Sequence, residues 1–202
     1  MDNKKKGMPF LLMLLMIGLL PLLVAVVIVM LVSTSEISSS LKESAESRLK
    51  AVSTSIELHF KDQIEEGELT KNELAYEFID ALESQDIELT LFEKDVRYIT
   101  SLRNTDGSRN EGTPASAEIY AKVSAGNTYF GENVVIGGKK YMVFYSPIIL
   151  DDGTFWGMAF AGEPQEDLDN QVNGIVLLVL MIAIGVTLAA VALVIVIALI
   201  IK

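Results

Sequence analysis

Two long stretches without a charged side chain constrain this chain more than any other feature of its sequence. Residues 8–32 form an uncharged run of 25 residues, and residues 174–201 form one of 28. An α-helix rises about 1.5 Å per residue, so about 20 apolar residues cross a hydrocarbon core of about 30 Å. Both runs are apolar throughout rather than amphipathic, which predicts two transmembrane helices.

The first run is too long for a cleaved signal peptide, whose apolar stretch has about 7–15 residues. Its exit, Met30-Leu31-Val32-Ser33, also lacks the small-x-small pattern of a cleavage site. We therefore expect a retained anchor at 8–32 and a second transmembrane helix at 174–201.

The flanking lysines predict the orientation of the chain. Lys4–Lys6 precede the first span and Lys202 follows the second, and lysines near span ends favour the cytoplasmic side. We expect a multi-pass protein of the cell (inner) membrane with both termini cytoplasmic. Residues 1–7 would be the cytoplasmic N-terminus, 33–173 one extracytoplasmic domain, and 202 the start of a second cytoplasmic part.

The predicted outer domain is strongly acidic. It holds 26 of the 27 Asp and Glu residues but only 12 of the 16 Lys and Arg residues. Such a surface argues against nucleic acid or an anionic bilayer as the partner. The chain contains no cysteine, so no disulfide supports the domain.

The first part of the outer domain has helical periodicity. Apolar residues recur at three- or four-residue steps from Ile37 to Phe60, which predicts a long helix over 33–64 that continues the first span. The capping-box pattern Thr70-Lys71-Asn72-Glu73 predicts the start of a second helix. Its predicted buried face consists of Leu74, Phe78, Ile79 and Leu82.

The remainder of the outer domain has strand-like periodicity. Alternation predicts strands at 87–91 and 96–102, followed by a short helix from Pro114 to about Ser124. Three more strands are predicted at 129–136, 139–150 and 154–161, separated by the turn pairs Gly137-Gly138 and Asp152-Gly153. The predicted fold class is α+β, a PAS-like five-stranded antiparallel sheet with a long N-terminal helix, flanked by two transmembrane helices.

Residues 95–164 resemble the single Cache domains of bacterial methyl-accepting chemotaxis receptors and related transmembrane sensors. The matching pieces, in order, are Arg97-Tyr98-Ile99-Thr100-Ser101, Asp106-Gly107-Ser108-Arg109 with Gly112-Thr113, Tyr129-Phe130-Gly131-Glu132-Asn133, Tyr141-x-x-x-Tyr145-Ser146-Pro147, and Asp152-Gly153-x-x-x-Gly157-Met158-x-Phe160-x-Gly162-x-Pro164. The resemblance implies a domain that binds a small molecule, often an organic acid or amino acid, between its sheet and its helix insert. It also implies a homodimer that passes a conformational signal to a cytoplasmic output.

The output is where the chain departs from the family pattern. Chemoreceptors continue past the second span into a linker domain and a methylated coiled coil, whereas this sequence stops at Lys202. The chain is therefore either a fragment or a receptor without an output of its own, and we expect a fragment. The leading hypothesis is a chemoreceptor-like transmembrane receptor; the alternatives are the sensor portion of a histidine kinase or cyclase, and a ligand-independent membrane scaffold.

The candidate ligand contacts follow from the chemistry that binds a small anion. The planar guanidinium of Arg holds a carboxylate with two hydrogen bonds, and Arg97, Arg103 and Arg109 cluster in the first predicted hairpin and its loop. Arg109 also matches the family's Arg between the Asp-Gly turn and the Gly-Thr pair. Tyr adds an apolar wall with a hydroxyl. The predicted ligand-binding residues are Tyr98, Ser101, Arg103, Arg109, Tyr120, Tyr141 and Tyr145.

Each of these assignments has a simpler alternative, a surface salt bridge for an Arg and plain sheet packing for a Tyr. No group of residues suggests catalysis or a metal site. His59 is the only histidine, and the two Asp-Gly turns lack the alternating ligands of a calcium loop. We therefore predict no catalytic residue, no metal and no cofactor, and a protein that is not an enzyme.

Overall fold

The computed structural model describes residues 10–200, so the predicted cytoplasmic residues 1–7 and 202 lie outside the described residues. The chain divides into two compact units. One contains the residues up to Ser40 and those from Asn170 onward, and the other is Leu41–Asp169.

The helices and strands follow the predicted order closely. Helix α1 is Phe10–Glu65, α2 is Glu73–Asp80, α3 is Ala117–Ser124 and α4 is Gln165–Ile200. The strands are β1 Glu88–Glu93, β2 Val96–Thr100, β3 Tyr129–Ile136, β4 Lys139–Ile149 and β5 Phe155–Pro164.

The five strands form one antiparallel sheet in the order β2-β1-β5-β4-β3. Strands β3 and β4 are joined by Gly137 and Gly138, whose φ angles of 58° and 83° are both positive. A two-residue hairpin loop needs this backbone shape, which glycine adopts without steric strain. The predicted α+β, PAS-like five-stranded sheet is confirmed.

One face of the sheet packs against α1 and α2. The apolar stripe of α1 buries Ala45, Leu49, Ile56 and Phe60 in a core that also contains residues of β1, β2, β4 and β5. Each fully buried Leu, Ile or Phe side chain contributes about 1.5–3 kcal/mol relative to exposure. This helical face therefore supplies much of the stability of the unit Leu41–Asp169.

A buried polar contact lies in the middle of the helical face. Ser53 Oγ of α1 lies 2.6 Å from Ser146 Oγ of β4 and donates to the backbone oxygen of Ala159 at 3.1 Å. Both serines are buried. The contact ties α1 to two adjacent strands and satisfies polar groups that would be costly to bury alone.

The opposite face of the sheet packs against α3 and the segment that precedes it. Its core contains Phe92, Tyr145 and Phe160 from the sheet, with Ile119 and Val123 from α3. We call this surface the insert face.

The prediction that Leu74 is buried is wrong, because 73% of it is exposed. The N-cap of α2 is Asn72 rather than Thr70, since Asn72 Oδ1 accepts a hydrogen bond from Ala75 N at 2.9 Å. From this cap the two-turn helix buries Ala75 and Ile79. Asn is as good an N-cap residue as Thr, so the capping-box pattern alone did not fix the position at which α2 begins.

Two helical segments are long and apolar enough to cross a membrane, Val24–Glu65 within α1 and Asp169–Val196 within α4. The most apolar part of each segment is not covered by other described residues. Large apolar side chains such as Val29, Leu31 and Leu188 are more than half exposed. A surface of this kind is stable in lipid rather than in water.

An ion pair on the helical face gives the first prediction. Arg48 of α1 donates to Oε2 of Glu163, a buried carboxylate whose Oε1 has no hydrogen-bond partner. Arg48→Ala should lower the free energy of unfolding by about 1–3 kcal/mol, because it leaves a buried charge unpaired. Adding Glu163→Gln should restore part of the loss. Fluorescence of Trp156, the only tryptophan, reports unfolding of this unit.

Lys50→Ala is the matched control, because Lys50 is an exposed cation on the same helix. It should change the stability little. An Arg48→Ala variant no less stable than Lys50→Ala would contradict the assigned role of the ion pair.

Candidate functional site

A β-bulge on the insert face decides where Arg97 points. Leu91 pairs with Ile99, but the next residue, Phe92, pairs with Arg97, so Tyr98 is an extra residue in β2. Strict alternation would place Arg97 on the same face as Ile99. The bulge instead places Arg97 beside Phe92 on the insert face. An extra residue in one strand commonly changes the face to which the next side chain belongs.

Arg97 is almost completely buried there, with only 6% of its surface exposed. Nη1 donates to Thr113 Oγ1 at 2.7 Å, the guanidinium lies 5.2 Å from the centre of the Phe92 ring, and Nε is buried without a partner. Within the described residues, Arg97 makes no ion pair with a carboxylate. Burial lowers the pKa of Arg97, yet an Arg side chain remains charged at neutral pH.

A cavity of about 220 Å³ adjoins this guanidinium, and we call it the Arg97 cavity. Its walls come from the sheet, from the start of α3 and from the segment between β2 and α3. They consist of Arg97, Asn110, residues 113–116, Ile119, residues 134–137 and Tyr145. The cavity therefore lies between the sheet and its helix insert.

Tyr145 forms the sheet side of the Arg97 cavity. It is 1% exposed and packs against the rings of Phe92 and Phe160. Burial raises the pKa of Tyr145 to about 12, although the charge of Arg97 acts in the opposite direction. The cavity thus combines one fixed cation with an aromatic wall.

A second cavity of about 650 Å³ lies on the same face, and we call it the Glu88 cavity. It is lined by residues of β1, β4 and the segment after β2, namely Glu88, residues 102–106, Asn110, Ile136, Gly137, Lys139 and Tyr141. Asn110, Ile136 and Gly137 also line the Arg97 cavity. The two cavities therefore adjoin along a shared wall.

Glu88 is oriented by Ser101 at the edge of this second cavity. Ser101 Oγ donates to Glu88 Oε2 at 2.5 Å and accepts from Leu89 N at 2.9 Å. Burial, and after it the charge of Glu88, raises the pKa of Tyr141. The carboxylate of Glu88 and the phenol of Tyr141 therefore belong to one local environment.

Three of the predicted ligand-binding residues line these cavities, and a fourth, Ser101, bonds to a lining residue. Tyr145 lines the Arg97 cavity, Arg103 and Tyr141 line the Glu88 cavity, and Ser101 holds Glu88 in place. Their role in ligand binding stays a prediction.

Arg109 is placed differently, because both Nη atoms of its guanidinium are engaged by the protein. Both Nη atoms donate to the carboxylate of Asp80, at 2.9 and 2.6 Å, and Nη1 also donates to Thr100 O at 2.6 Å. The guanidinium stacks 4.2 Å from the centre of the Tyr76 ring. Arg109 does not line either cavity, and its contacts fasten the segment after β2 to α2.

Tyr98 and Tyr120 also lie outside the lining of both cavities. Tyr98, the bulge residue, packs against the helical-face core, with Lys71 Nζ 4.9 Å from its ring centre. Tyr120 of α3 packs edge-on against Phe155.

Sequence reasoning did not select Arg97 and Glu88, the two charged residues that the cavities make prominent. Arg97 was visible as a member of the Arg cluster, but the bulge that re-aims it has no clear signal in the sequence. Glu88 is one acid among many. In the part of the chain that the structure describes, there is no group of three His, Asp or Glu residues able to hold a metal ion.

Alkaline titration of Tyr145 gives the second prediction. The unfolded chain releases the phenol proton near pH 10, whereas the folded protein holds it until about pH 12. This group therefore leaves stability unchanged below pH 10 and lowers it by about 2–3 kcal/mol as the pH rises from 10 to 12. Tyr145→Phe should lose less stability over that range, measured by thermal unfolding. Equal losses in parent and variant would contradict the burial of this phenol.

Comparisons with known proteins place this geometry in a family. The model of single Cache domain 3 matches residues 68–175, which include the whole sheet, α3 and both cavities. No protein of curated function matches the chain.

Several solved structures are similar in part. The E. coli DcuS sensor domain is 14% identical, with a TM-score of 0.45, and the match covers 65% of this chain and 97% of that one. The ligand-binding domain of the Pseudomonas aeruginosa amino acid chemoreceptor PctC, in complex with GABA, is 15% identical, with a TM-score of 0.43 and coverage of 68% and 58%. The ligand-binding domain of the Campylobacter jejuni chemoreceptor Tlp3, in complex with L-valine, is 14% identical, with a TM-score of 0.41 and coverage of 82% and 68%.

The family match extends over more than half of the chain and agrees with the sheet, the helix insert and the cavity between them. The chain belongs to the single Cache domain 3 family.

Proposed function

We propose that this protein is a chemoreceptor-like transmembrane receptor whose outer Cache domain binds a small anion, an organic acid or an amino acid, in the Arg97 cavity. Binding changes the conformation of the domain, and the change is passed to a cytoplasmic output. The output could be methyl-accepting signalling, a histidine kinase or a cyclase, since the ligand chemistry is the same for each. A homodimer, which the family resemblance implies, is part of this proposal.

One observation carries the proposal: Arg97 is buried beside a cavity without a carboxylate partner among the described residues. Moving a charged group out of water costs several kcal/mol, and proteins normally offset this with a paired charge. A carboxylate in the cavity would supply that partner. It could accept hydrogen bonds from the guanidinium, because within the described part of the chain only Nη1 has a hydrogen-bond partner, Thr113.

The segment that walls the cavity also contacts the helices, which offers a route for the signal. Glu111 lies between two residues of the wall, Asn110 and Thr113. It accepts hydrogen bonds from Lys71 Nζ at 2.6 Å and from the Tyr76 hydroxyl at 3.0 Å. A ligand that binds two conformations of this segment unequally would shift their populations, and with them the position of α2.

Helix α2 in turn packs against α1. The Phe78 ring stacks on His59 with centres 3.8 Å apart and meets Phe60 edge-on at 5.4 Å. A displacement of α2 would therefore act directly on α1, the helix that contains the first candidate span.

The proposed orientation has both termini in the cytoplasm and the Cache domain outside. Because the chain has no cysteine, a single Thr105→Cys substitution on the exposed segment after β2 gives a clean reporter. A membrane-impermeant maleimide should label it in intact cells, and should label Lys4→Cys only after the cells are opened. The reverse pattern would place the Cache domain in the cytoplasm and rule out the receptor proposal.

Replacing Arg97 tests the ligand site. The full-length protein in lipid nanodiscs would be screened with organic acids and amino acids by thermal unfolding. A true ligand at 100 times its Kd should stabilise the parent by about 2.7 kcal/mol, a shift of several degrees. Arg97→Met should abolish this shift. Without ligand it should be as stable as the parent or more so, because it removes an unpaired buried charge.

Arg109→Ala is the matched control. It should lower the stability of the ligand-free protein, because it breaks the contacts to Asp80, while a ligand-induced shift persists. If no compound stabilises the parent, a ligand-independent membrane scaffold becomes the better hypothesis for the function of this protein. If Arg97→Met keeps the full shift, the cavity assignment is wrong.

A further inference from the structure

We infer that the ligand is amphoteric with separated charges, with a carboxylate beside Arg97 and an ammonium group several bonds away beside Glu88. This inference rests on the proposed function and names the class of molecule that the two cavities would accept together. An ω-amino acid is the simplest member of that class, and an α-amino acid, with both charges on one carbon, is outside it.

The first support is the adjacency of two cavities that hold opposite fixed charges. They share Asn110, Ile136 and Gly137, and both lie on the insert face. One cavity contains a buried guanidinium, and the other contains a carboxylate held by Ser101. A ligand that extends across the shared wall would meet a cation at one end and an anion at the other.

The second support is that Glu88 has no cationic partner of its own. Among the described residues no Lys or Arg forms an ion pair with it. Of the cations that line its cavity, Arg103 lies 3.5 Å from Asp80, and Lys139 is exposed to solvent. The other acid in the lining, Asp106, is engaged within its own turn by Ser108 N and Oγ. Glu88 is therefore the acid that remains available in this cavity.

The spacing of the strands sets the length of the ligand. Glu88 is four residues along β1 from Phe92, the partner of Arg97, which corresponds to about 14 Å of strand. Tyr141 and Tyr145 are separated by the same four residues on β4, with one in each cavity. Side chains stand roughly perpendicular to a sheet, so the strand spacing approximates the distance between the two charges. After a hydrogen bond of about 3 Å at each end, the remaining gap requires a chain of several bonds rather than one carbon.

Four probes of six carbons separate the possibilities: hexanoate, adipate, norleucine and 6-aminohexanoate. Norleucine and 6-aminohexanoate are isomers that differ only in the position of the amine. The readouts are thermal unfolding and calorimetric titration of the full-length protein in nanodiscs at neutral pH. We expect 6-aminohexanoate to bind about tenfold or more tightly than the other three, the gain expected of one charge-assisted hydrogen bond.

Glu88→Gln tests the ammonium contact while keeping the shape of the side chain and an oxygen for Ser101. The substitution should weaken the binding of 6-aminohexanoate until its affinity equals that of hexanoate. The affinity for hexanoate should not change. Glu93→Gln, an exposed acid on the same strand, is the matched control and should behave like the parent. Trp156 fluorescence of each ligand-free variant checks that the domain is folded.

The outcomes distinguish this inference from the proposed function. Tightest binding of adipate or norleucine, or equal binding of hexanoate, overturns the amphoteric ligand and leaves the anion site of Arg97 standing. The amphoteric ligand is also overturned if the Glu88→Gln variant still binds 6-aminohexanoate more tightly than hexanoate. If none of the four probes binds, the inference fails, and the wider screen with Arg97→Met decides the proposed function independently.

Discussion

The buried charge of Arg97 is the constraint on which the insert face of this domain depends. The outer part of the sequence is rich in Asp and Glu, yet in the described structure none of them forms an ion pair with this guanidinium. A fold selected for stability alone would pair the cation or replace it by an apolar residue, which is often neutral or stabilising. An unpaired buried Arg is therefore an energetic cost to the folded domain, and under the proposed function a bound carboxylate would reduce that cost. A local loss of stability of this kind is typical of functional sites.

Two arginines of one cluster illustrate how far sequence reasoning extends. Arg97 and Arg109 look equivalent in the sequence, and the family pattern favours Arg109. In the structure Arg109 is satisfied by Asp80 and Thr100, whereas Arg97 is left facing a cavity. The difference comes from the bulge at Tyr98 and from a contact to α2, a helix distant in the sequence. Neither follows from local periodicity.

The architecture itself was largely predictable, because it depends on signals that are local. Uncharged runs, the stripe of α1, strand alternation and glycine turns each reflect a short-range rule, and the order of the elements follows from them. Leu74 shows where this stops, since the periodicity predicted it to be buried and the folded α2 leaves it exposed. The cavities depend on how segments distant in the sequence pack against each other. The spacing of apolar residues along the chain does not reveal this packing.

Ser53 gives the helical face a further property. An axial slide of α1 by one residue, about 1.5 Å, would separate its hydroxyl from both Ser146 and Ala159. The surrounding side chains are apolar, so the freed groups would find no substitute, at a penalty of about 1–3 kcal/mol for each. The Ser53 hydroxyl therefore favours the observed register of α1 over one displaced along the helix axis. A receptor that moved this helix along its axis would have to overcome that penalty first, which gives the response a threshold.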